Sequence, residues 1–378
     1  MRIVVLGGCG AMGMETVRDL VQTSSFEEIA IVDLNLERLQ AMIQHLRDRR
    51  LKPVALDIRH ASDLIQQMKG AAVVANCTPY HFGVIATEAA IAAKVNYLDL
   101  GGLYNTPKQL TLDEKAKRAG VTIVLGCGAT PGVTNLMARQ AANELDRVDE
   151  VHIAFASFRD LAPSPGLLDT ILDEFSPDTI RMFFRQGKFV EVPAFSGAKD
   201  ISFAKPVGRQ TTYYVPHSEV HTIPRFIKGV KVVDVRGTWR PDIMEALKVF
   251  ARFNLLRNEP IPIRGVEVGP REFLRTHFLR SNGIDEKGEW AFYLNVEVLG
   301  KKSGKRREIV LKSSHPPMKV WGRSATARMT GISASISAQT LARGDISVKG
   351  VVAPEACFEP DQFFADLQRR GIKVVKTS

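Results

Sequence analysis

Cysteine is scarce in this chain. The 378 residues carry four, Cys9, Cys77, Cys127 and Cys357, widely scattered. No C-x-x-C pair occurs, which argues against a zinc knuckle and a disulfide framework and fits a reducing cytosol. Runs of eighteen apolar residues are absent too, so no membrane-spanning helix and no membrane partner is expected. There is no low-complexity linker, and no aromatic platform accompanies the basic stretches. The opening MRIVVLGG enters a strand-like run and a glycine loop directly, so no secretory leader is expected.

What is present is ordinary for a soluble globular protein: 45% hydrophobic and 24% charged residues, in a chain long enough for two domains. The net charge of +10 suits nucleic acid or an anionic small molecule. Its densest basic run, GKKSGKRRE (Gly300 to Glu308), lies between two alternating apolar runs. It therefore reads as a solvated hairpin tip, and no nucleic-acid partner is expected. A cytoplasmic location follows from these exclusions.

Over the first 125 residues, short apolar runs (RIVVL, IAIVD, PVALD, AAVVANC, NYLDL, VTIVL) alternate with helical patterns. The helices are expected at Met12 to Val21, Leu36 to Leu46, Ala61 to Met68, Gly83 to Ala93 and Pro107 to Arg118. This is the signature of βαβ units and a parallel sheet covered on both faces. Beyond Leu145 the pattern becomes strand-rich, with helical inserts expected near Pro177 to Arg185 and Asp242 to Phe253. An α+β domain with an open antiparallel sheet is expected there. The small-residue helix SATARMTGISASISAQTLARG and the closing helix and strand are expected to return to the first domain. The fold class is thus α/β, a Rossmann-type doubly wound parallel sheet with an inserted α+β domain. Residues 1–135 plus 325–378 are assigned to the dinucleotide-binding domain and 136–324 to the insert.

The first glycine stretch, LGGCGAMG, carries Gly8-x-Gly10-x-x-Gly13 between a strand and a helix. The first glycine makes the tight turn, Gly10 admits a pyrophosphate to the backbone, and Gly13 lets helix and strand pack. Cys9, Ala11 and Met12 complete this cofactor loop. Asp33 ends the second strand twenty residues after Gly13, where a carboxylate binds ribose hydroxyls and favours NAD over NADP. Arg38, five residues on, could still meet a 2′-phosphate. Asn76, Cys77, Thr78 and Pro79 end the fourth strand beside the expected nicotinamide ribose, and Asp57 is a weaker candidate on the adenine side.

A second stretch, LGCGATPGVTN (Leu125 to Asn135), repeats Gly-Cys-Gly-Ala but spaces its glycines as GxGxxxG. No acidic strand end answers it. It reads as a hinge between domains and one wall of the nicotinamide and substrate pocket. Pro131 suits a first helical turn.

These elements, with YLDLGG (Tyr97 to Gly102), GATPGVTNLMA (Gly128 to Ala138) and RGTWR (Arg236 to Arg240), resemble the saccharopine dehydrogenase-like family over nearly the whole chain. That family includes saccharopine reductases, lysine 6-dehydrogenases and carboxynorspermidine dehydrogenases. The resemblance implies NAD(P)-linked oxidoreduction of a CH–NH or CH–NH2 bond in an amino-acid substrate. It also implies that the insert binds substrate and forms a homodimer. Asn135 stands where the glutamate-forming enzymes commonly carry aspartate.

Such chemistry needs a group that takes a proton from the substrate nitrogen. Asp99, Cys127 and His217 are the candidates. His217 lies near Glu219 and His221, but their spacing does not suggest a metal site, and no metal is expected. Arg236 and Arg240 are candidates for gripping a substrate carboxylate. Gly101, Thr130 and Asn135 are candidates for the substrate wall. A polyamine substrate would need acidic residues in the pocket, whereas the motifs expected there look basic. A cofactor-binding regulator without catalysis is the alternative of another class.

Overall fold

The computed structural model describes residues 1–103, 105–281 and 288–377. The first part of the chain runs β1 (Arg2–Leu6), α1 (Ala11–Thr23), β2 (Glu28–Asp33), α2 (Leu36–Leu46), β3 (Leu51–Ala55), α3 (Ala61–Met68), β4 (Val73–Asn76), α4 (Gly83–Ala93), β5 (Asn96–Asp99), α5 (Asn105–Leu110), α6 (Asp113–Ala119), β6 (Thr122–Val124) and α7 (Val133–Asn143). The strands pair in parallel in the order β6-β5-β4-β1-β2-β3. The order reverses between β1 and β4, which opens a ligand crevice at the carboxyl ends of those strands. Ile3, Val4, Val5 and Leu6 are fully buried, as a sheet covered on both faces requires. The helix expected over Pro107 to Arg118 is instead two. The Thr111 hydroxyl donates to the Lys108 carbonyl at 2.7 Å and Leu112 turns into the core, so the chain breaks between α5 and α6.

The second part contains β7 (Arg147–Phe158), α8 (Pro165–Phe175), β8 (Arg181–Arg185), β9 (Lys188–Val192), β10 (Lys199–Ser202), β11 (Arg209–Tyr214), α9 (Glu219–Phe226), β12 (Val232–Trp239), α10 (Pro241–Arg252), β13 (Ile261–Ile263), β14 (Val266–Val268), α11 (Pro270–Arg280), β15 (Ala291–Lys302) and β16 (Lys305–Ser314). Its large sheet is mixed rather than antiparallel, because β12 and β7 run parallel. Ser303 and Gly304 form the tight turn of the basic hairpin, both with positive φ. The helix expected near Pro177 to Arg185 lies earlier. Ser164 caps α8 by accepting from Leu167 N, Pro165 opens its first turn, and Leu168, Ile171, Leu172 and Phe175 bury its inner face. Residues 181–185 form strand β8, paired with β9 and β12.

The tail divides between the two sheets. It comprises α12 (Met318–Trp321), α13 (Ala325–Arg343), β17 (Gly350–Val352), α14 (Pro354–Cys357), α15 (Pro360–Arg369) and β18 (Lys373–Lys376). Strand β17 extends the parallel sheet beside β6, whereas β18 pairs with β16 in the mixed sheet. The final strand therefore departs from the expected return to the first domain. Helix α13 packs directly on α1. A Cβ on Gly331 would stand 2.7 Å from Glu15 Cβ, Met12 O and Thr16 N, so only glycine permits this approach. The hydroxyls of Ser333 and Ser337 are satisfied inside the helix by the carbonyls four residues earlier. Gly331→Ala must push α13 off α1, with an expected loss of roughly 1–3 kcal/mol. Thermal unfolding should show a lowered midpoint, and an unchanged midpoint would contradict this packing.

Candidate active site

A cleft of about 720 Å³ opens at the reversal point of the parallel sheet and is closed on its far side by the second domain. On the near side, Gly10 occupies the cap position of α1 without any side-chain cap, and Gly10, Ala11 and Met12 line the cleft. The helix thus presents unpaired N–H groups and the positive end of its dipole there. A Cβ at Gly13 would lie 2.2 Å from Gly7 O, and one at Gly8 2.3 Å from Ile31 Cγ2. These two glycines hold helix against strand, while Gly10 faces the cleft. Asp33 lines the cleft, and its Oδ2 accepts from Cys9 N at 3.0 Å. Arg38 lines it as well and donates to the Cys9 carbonyl. Burial and the neighbouring Asp33 push the Cys9 thiol up to about 11, so it stays neutral.

Cys77, Thr78 and Pro79 continue the same wall. Asn76 does not line it. Its Oδ1 accepts from Thr78 N at 3.0 Å and Thr78 Oγ1 at 2.6 Å, and its Nδ2 donates to Tyr97 Oη at 2.8 Å, so it braces the turn. Asp57 lies outside the cleft, paired with Arg59 at 2.5 Å. The cradle fits a nicotinamide dinucleotide. Residues 10–12 would hold its pyrophosphate, Asp33 a ribose, and residues 77–79 the nicotinamide half.

Three sequence candidates do not line the cleft. Asp99 is 4% exposed and accepts from Gly101 N and Gly126 N, each at 2.9 Å, and from Gln109 Nε2 at 2.6 Å. It ties the end of β5 to the second glycine stretch and does not line the cleft. Cys127 is buried away from the cleft, and burial raises its thiol well above the ordinary value, so no thiolate forms. Asn135 caps α7: its Oδ1 accepts from Gly132 N at 2.8 Å, and its Nδ2 donates to Thr222 Oγ1 and Glu355 Oε2. Gly101 and Thr130 do line the cleft. The second glycine stretch is thus a tight backbone knot. Gly132, at φ 128°, has no room for a Cβ, which would meet Gly128 O at 2.0 Å.

Neither RGTWR arginine reaches the cleft. Side chains alternate along β12, so Trp239 faces the cleft while Arg236 projects from the other face. There it binds Gly197 O, Tyr214 Oη and Asp234. Arg240 precedes α10 and pairs with Asp242 at 2.7 Å and Asp160 at 3.7 Å.

A cluster of buried titratable groups surrounds His217 in the cleft. Its Nε2 lies 3.4 Å from Glu174 Oε1 and its Nδ1 3.3 Å from Glu219 Oε2, with all three residues buried. Glu219 Oε1 accepts from Thr130 Oγ1 at 2.7 Å and Thr134 Oγ1 at 2.8 Å. Burial alone would lower the imidazole pKa, but Glu219 and Glu174 outweigh it and raise it to about 9. His217 is therefore an imidazolium at neutral pH. Phe155 packs on its ring at 5.1 Å and Trp239 packs on Phe155 at 5.4 Å, forming an apolar floor.

Beyond this cluster α8 faces α11. Asp169 and Asp173 lie four apart on one helix, and Arg275 and Arg271 lie four apart on the other. They pair at 2.6 Å and 2.5 Å. Tyr80, from the loop after β4, also donates to Asp173 and so reaches across to the second domain. Arg159 is completely buried in the wall, donating to the carbonyls of Asp160, Leu161 and Leu167. Burial lowers its pKa to about 10. Sequence reasoning missed Arg159, Glu174 and the α8 and α11 pairs. The available signals were the Ser164-Pro165 helix start and the matching four-residue spacings of acids and arginines.

Residues 3–124 match the saccharopine dehydrogenase NADP binding domain, and residues 128–372 match the saccharopine dehydrogenase C-terminal domain. The chain is 22% identical to a carboxyaminopropylagmatine dehydrogenase from Synechocystis, over 98% of this chain and 96% of that protein. It is 24% identical to a carboxynorspermidine synthase from Vibrio cholerae, over 97% and 94%. An L-Glu-forming saccharopine dehydrogenase from Saccharomyces cerevisiae shares the fold over the full length of both chains, with a TM-score of 0.75 at 16% identity. With the cofactor cradle, the second domain and both family models in agreement, the chain belongs to the saccharopine dehydrogenase family and is an NAD(P)-linked oxidoreductase.

Proposed function

We propose that this enzyme makes or cleaves the CH–NH bond of a carboxylated polyamine, a secondary amine joining an amino-acid unit to an amine with a further cationic group. One observation carries this reading: the substrate half of the cleft bears both signs of charge. Asp169, Asp173, Glu174 and Glu272 line it together with Arg159, Arg271 and Arg275. The acidic residues absent from the sequence motifs thus come from α8 and α11. Arg271 and Arg275 pair with Asp173 and Asp169, so these four charges cancel, leaving little free positive charge for the several carboxylates of saccharopine and leaving Glu174 as a buried acid without a guanidinium partner. Relatives named for carboxylated polyamines support the same choice.

A bound nicotinamide supplies the hydride acceptor or donor. The protein's part is to place the substrate carbon beside it, exclude water and manage the proton on nitrogen. Leu100, Pro131, Phe155, Trp239 and Phe292 form the apolar surface of the cleft. NAD is the proposed cofactor, supported by the carboxylate of Asp33, which would repel a 2′-phosphate. Four unpaired cysteines support a cytoplasmic protein. Exposed Val249, Phe253, Ile261, Ile263, Val266 and Phe273, close together in the chain, support a homodimer.

Two outcomes check these readings. Monitored at the reduced-nicotinamide absorbance band, kcat/KM should be roughly tenfold or more higher for carboxynorspermidine or carboxyaminopropylagmatine than for saccharopine. A preference for saccharopine would overturn the substrate assignment. Asp33→Ser should shift the NADP-to-NAD ratio of kcat/KM toward NADP by about tenfold, the scale of a hydrogen bond to a charged group. An unchanged ratio would remove Asp33 from cofactor choice.

A further inference from the structure

Among the described cleft residues, Glu174 alone combines an unpaired carboxylate oxygen with a place beside a buried cation. It sits near the end of α8, 2% exposed, and lines the cleft. One oxygen, Oε1, faces His217 Nε2 at 3.4 Å. The other, Oε2, accepts no hydrogen bond from any described residue. A buried carboxylate oxygen in that condition is destabilised until a donor reaches it.

His81 and Glu272 also line the cleft but are exposed, and the buried or paired titratable groups lack this freedom. Asp99 and Cys127 do not line the cleft. Asp169 and Asp173 are held by guanidinium groups. Glu219 Oε1 is occupied by two threonine hydroxyls, and its Oε2 faces His217. His217 is an imidazolium with each ring nitrogen next to a carboxylate, so it has no lone pair to offer.

On the dehydrogenase reading above, we propose that Glu174 is the catalytic group that accepts the proton of the substrate's ammonium nitrogen, with His217 and Glu219 as positioning residues behind it. One N–H bond of the substrate breaks and one O–H bond forms on Glu174. The electron pair stays on nitrogen, leaving a neutral amine able to release hydride from the adjacent carbon. In the reverse direction the same proton returns to nitrogen. The transfer turns a carboxylate and an ammonium into two neutral groups without changing the net charge of the cleft. It therefore costs little desolvation in a closed site. Oε2 is closed off from solvent, and the soft terminal carboxyl torsion of glutamate allows it to turn toward a donor in the cleft.

The charged groups facing Glu174 are His217, Arg159 and Asp173. Burial raises its pKa, and His217 and Arg159 only partly oppose this. Protonated Glu174 cannot accept a proton, so kcat/KM for amine oxidation should fall as pH drops through that raised value. Glu174→Gln keeps the shape and removes the acceptor. It should lower kcat/KM in the oxidative direction by about a hundredfold or more and abolish the acidic limb of the pH profile. Calorimetric binding of carboxynorspermidine without cofactor should weaken by about tenfold or more, as expected for loss of a charge-assisted bond. NAD binding, read by protein fluorescence, should be unchanged.

If the glutamine variant does not fold, Glu174→Asp decides: it should retain the acidic limb with a reduced kcat, and an unchanged kcat would refute the assignment. An active wild type whose glutamine variant keeps both rate and acidic limb would overturn Glu174 alone. A wild type inert toward every carboxylated amine would instead overturn the dehydrogenase reading and this inference with it.

Discussion

A buried imidazolium between two buried carboxylates holds the two halves of this protein in register. His217 follows β11, Glu219 begins α9, and Glu174 lies on α8, all in the second domain. The threonines that satisfy Glu219, Thr130 and Thr134, come from the second glycine stretch and α7. Removing one partner of such a buried charge cluster leaves another uncompensated, at a cost of about 3–5 kcal/mol. The cluster is thus a strong constraint on the relative placement of the glycine stretch and α8, and the cleft lies between them.

The same economy of charge explains why two of the most visible motif residues stand outside the cleft. Asp99 and Asn135 look like active-site groups because they end strands or open helices at the sheet's ligand edge. Their oxygens are instead consumed by the N–H groups of Gly101, Gly126 and Gly132, which the tight backbone leaves without strand or helix partners. A loop that folds this closely around glycines exposes backbone donors inside the protein, and buried donors must be paired. The motif therefore marks a backbone requirement next to the site. Most charges in the substrate half of the cleft come from α8 and α11, which carry no recognisable motif.

Much of this was legible in the sequence. The alternation of apolar runs and helical patterns specified the parallel sheet. The Gly8, Gly10 and Gly13 spacing with Asp33 located the cofactor cradle, because each of those positions answers to local backbone geometry. His217, Thr130 and Gly101, which the sequence motifs single out, line the cleft. Asp99, Cys127, Asn135, Arg236 and Arg240 lie outside it, and Glu174 and Arg159 line it without a local motif to mark them. The helical pattern points to Pro177 to Arg185, whereas α8 spans Pro165–Phe175, so the pattern assigns the acids on it no position on a helix face.

What the sequence determined by itself was local: periodicity, turn chemistry and glycine spacing act within a few residues and leave a direct trace. Tertiary structure alone decided which face of β12 meets the cleft and that α13 closes on α1 at Gly331. It also decided that the final strand joins the mixed sheet, and that acids from α8, arginines from α11 and a histidine after β11 share one cavity. Those outcomes depend on pairings between segments tens to hundreds of residues apart. Such pairings are selected by the burial of apolar faces and the neutralisation of buried charge across the whole chain.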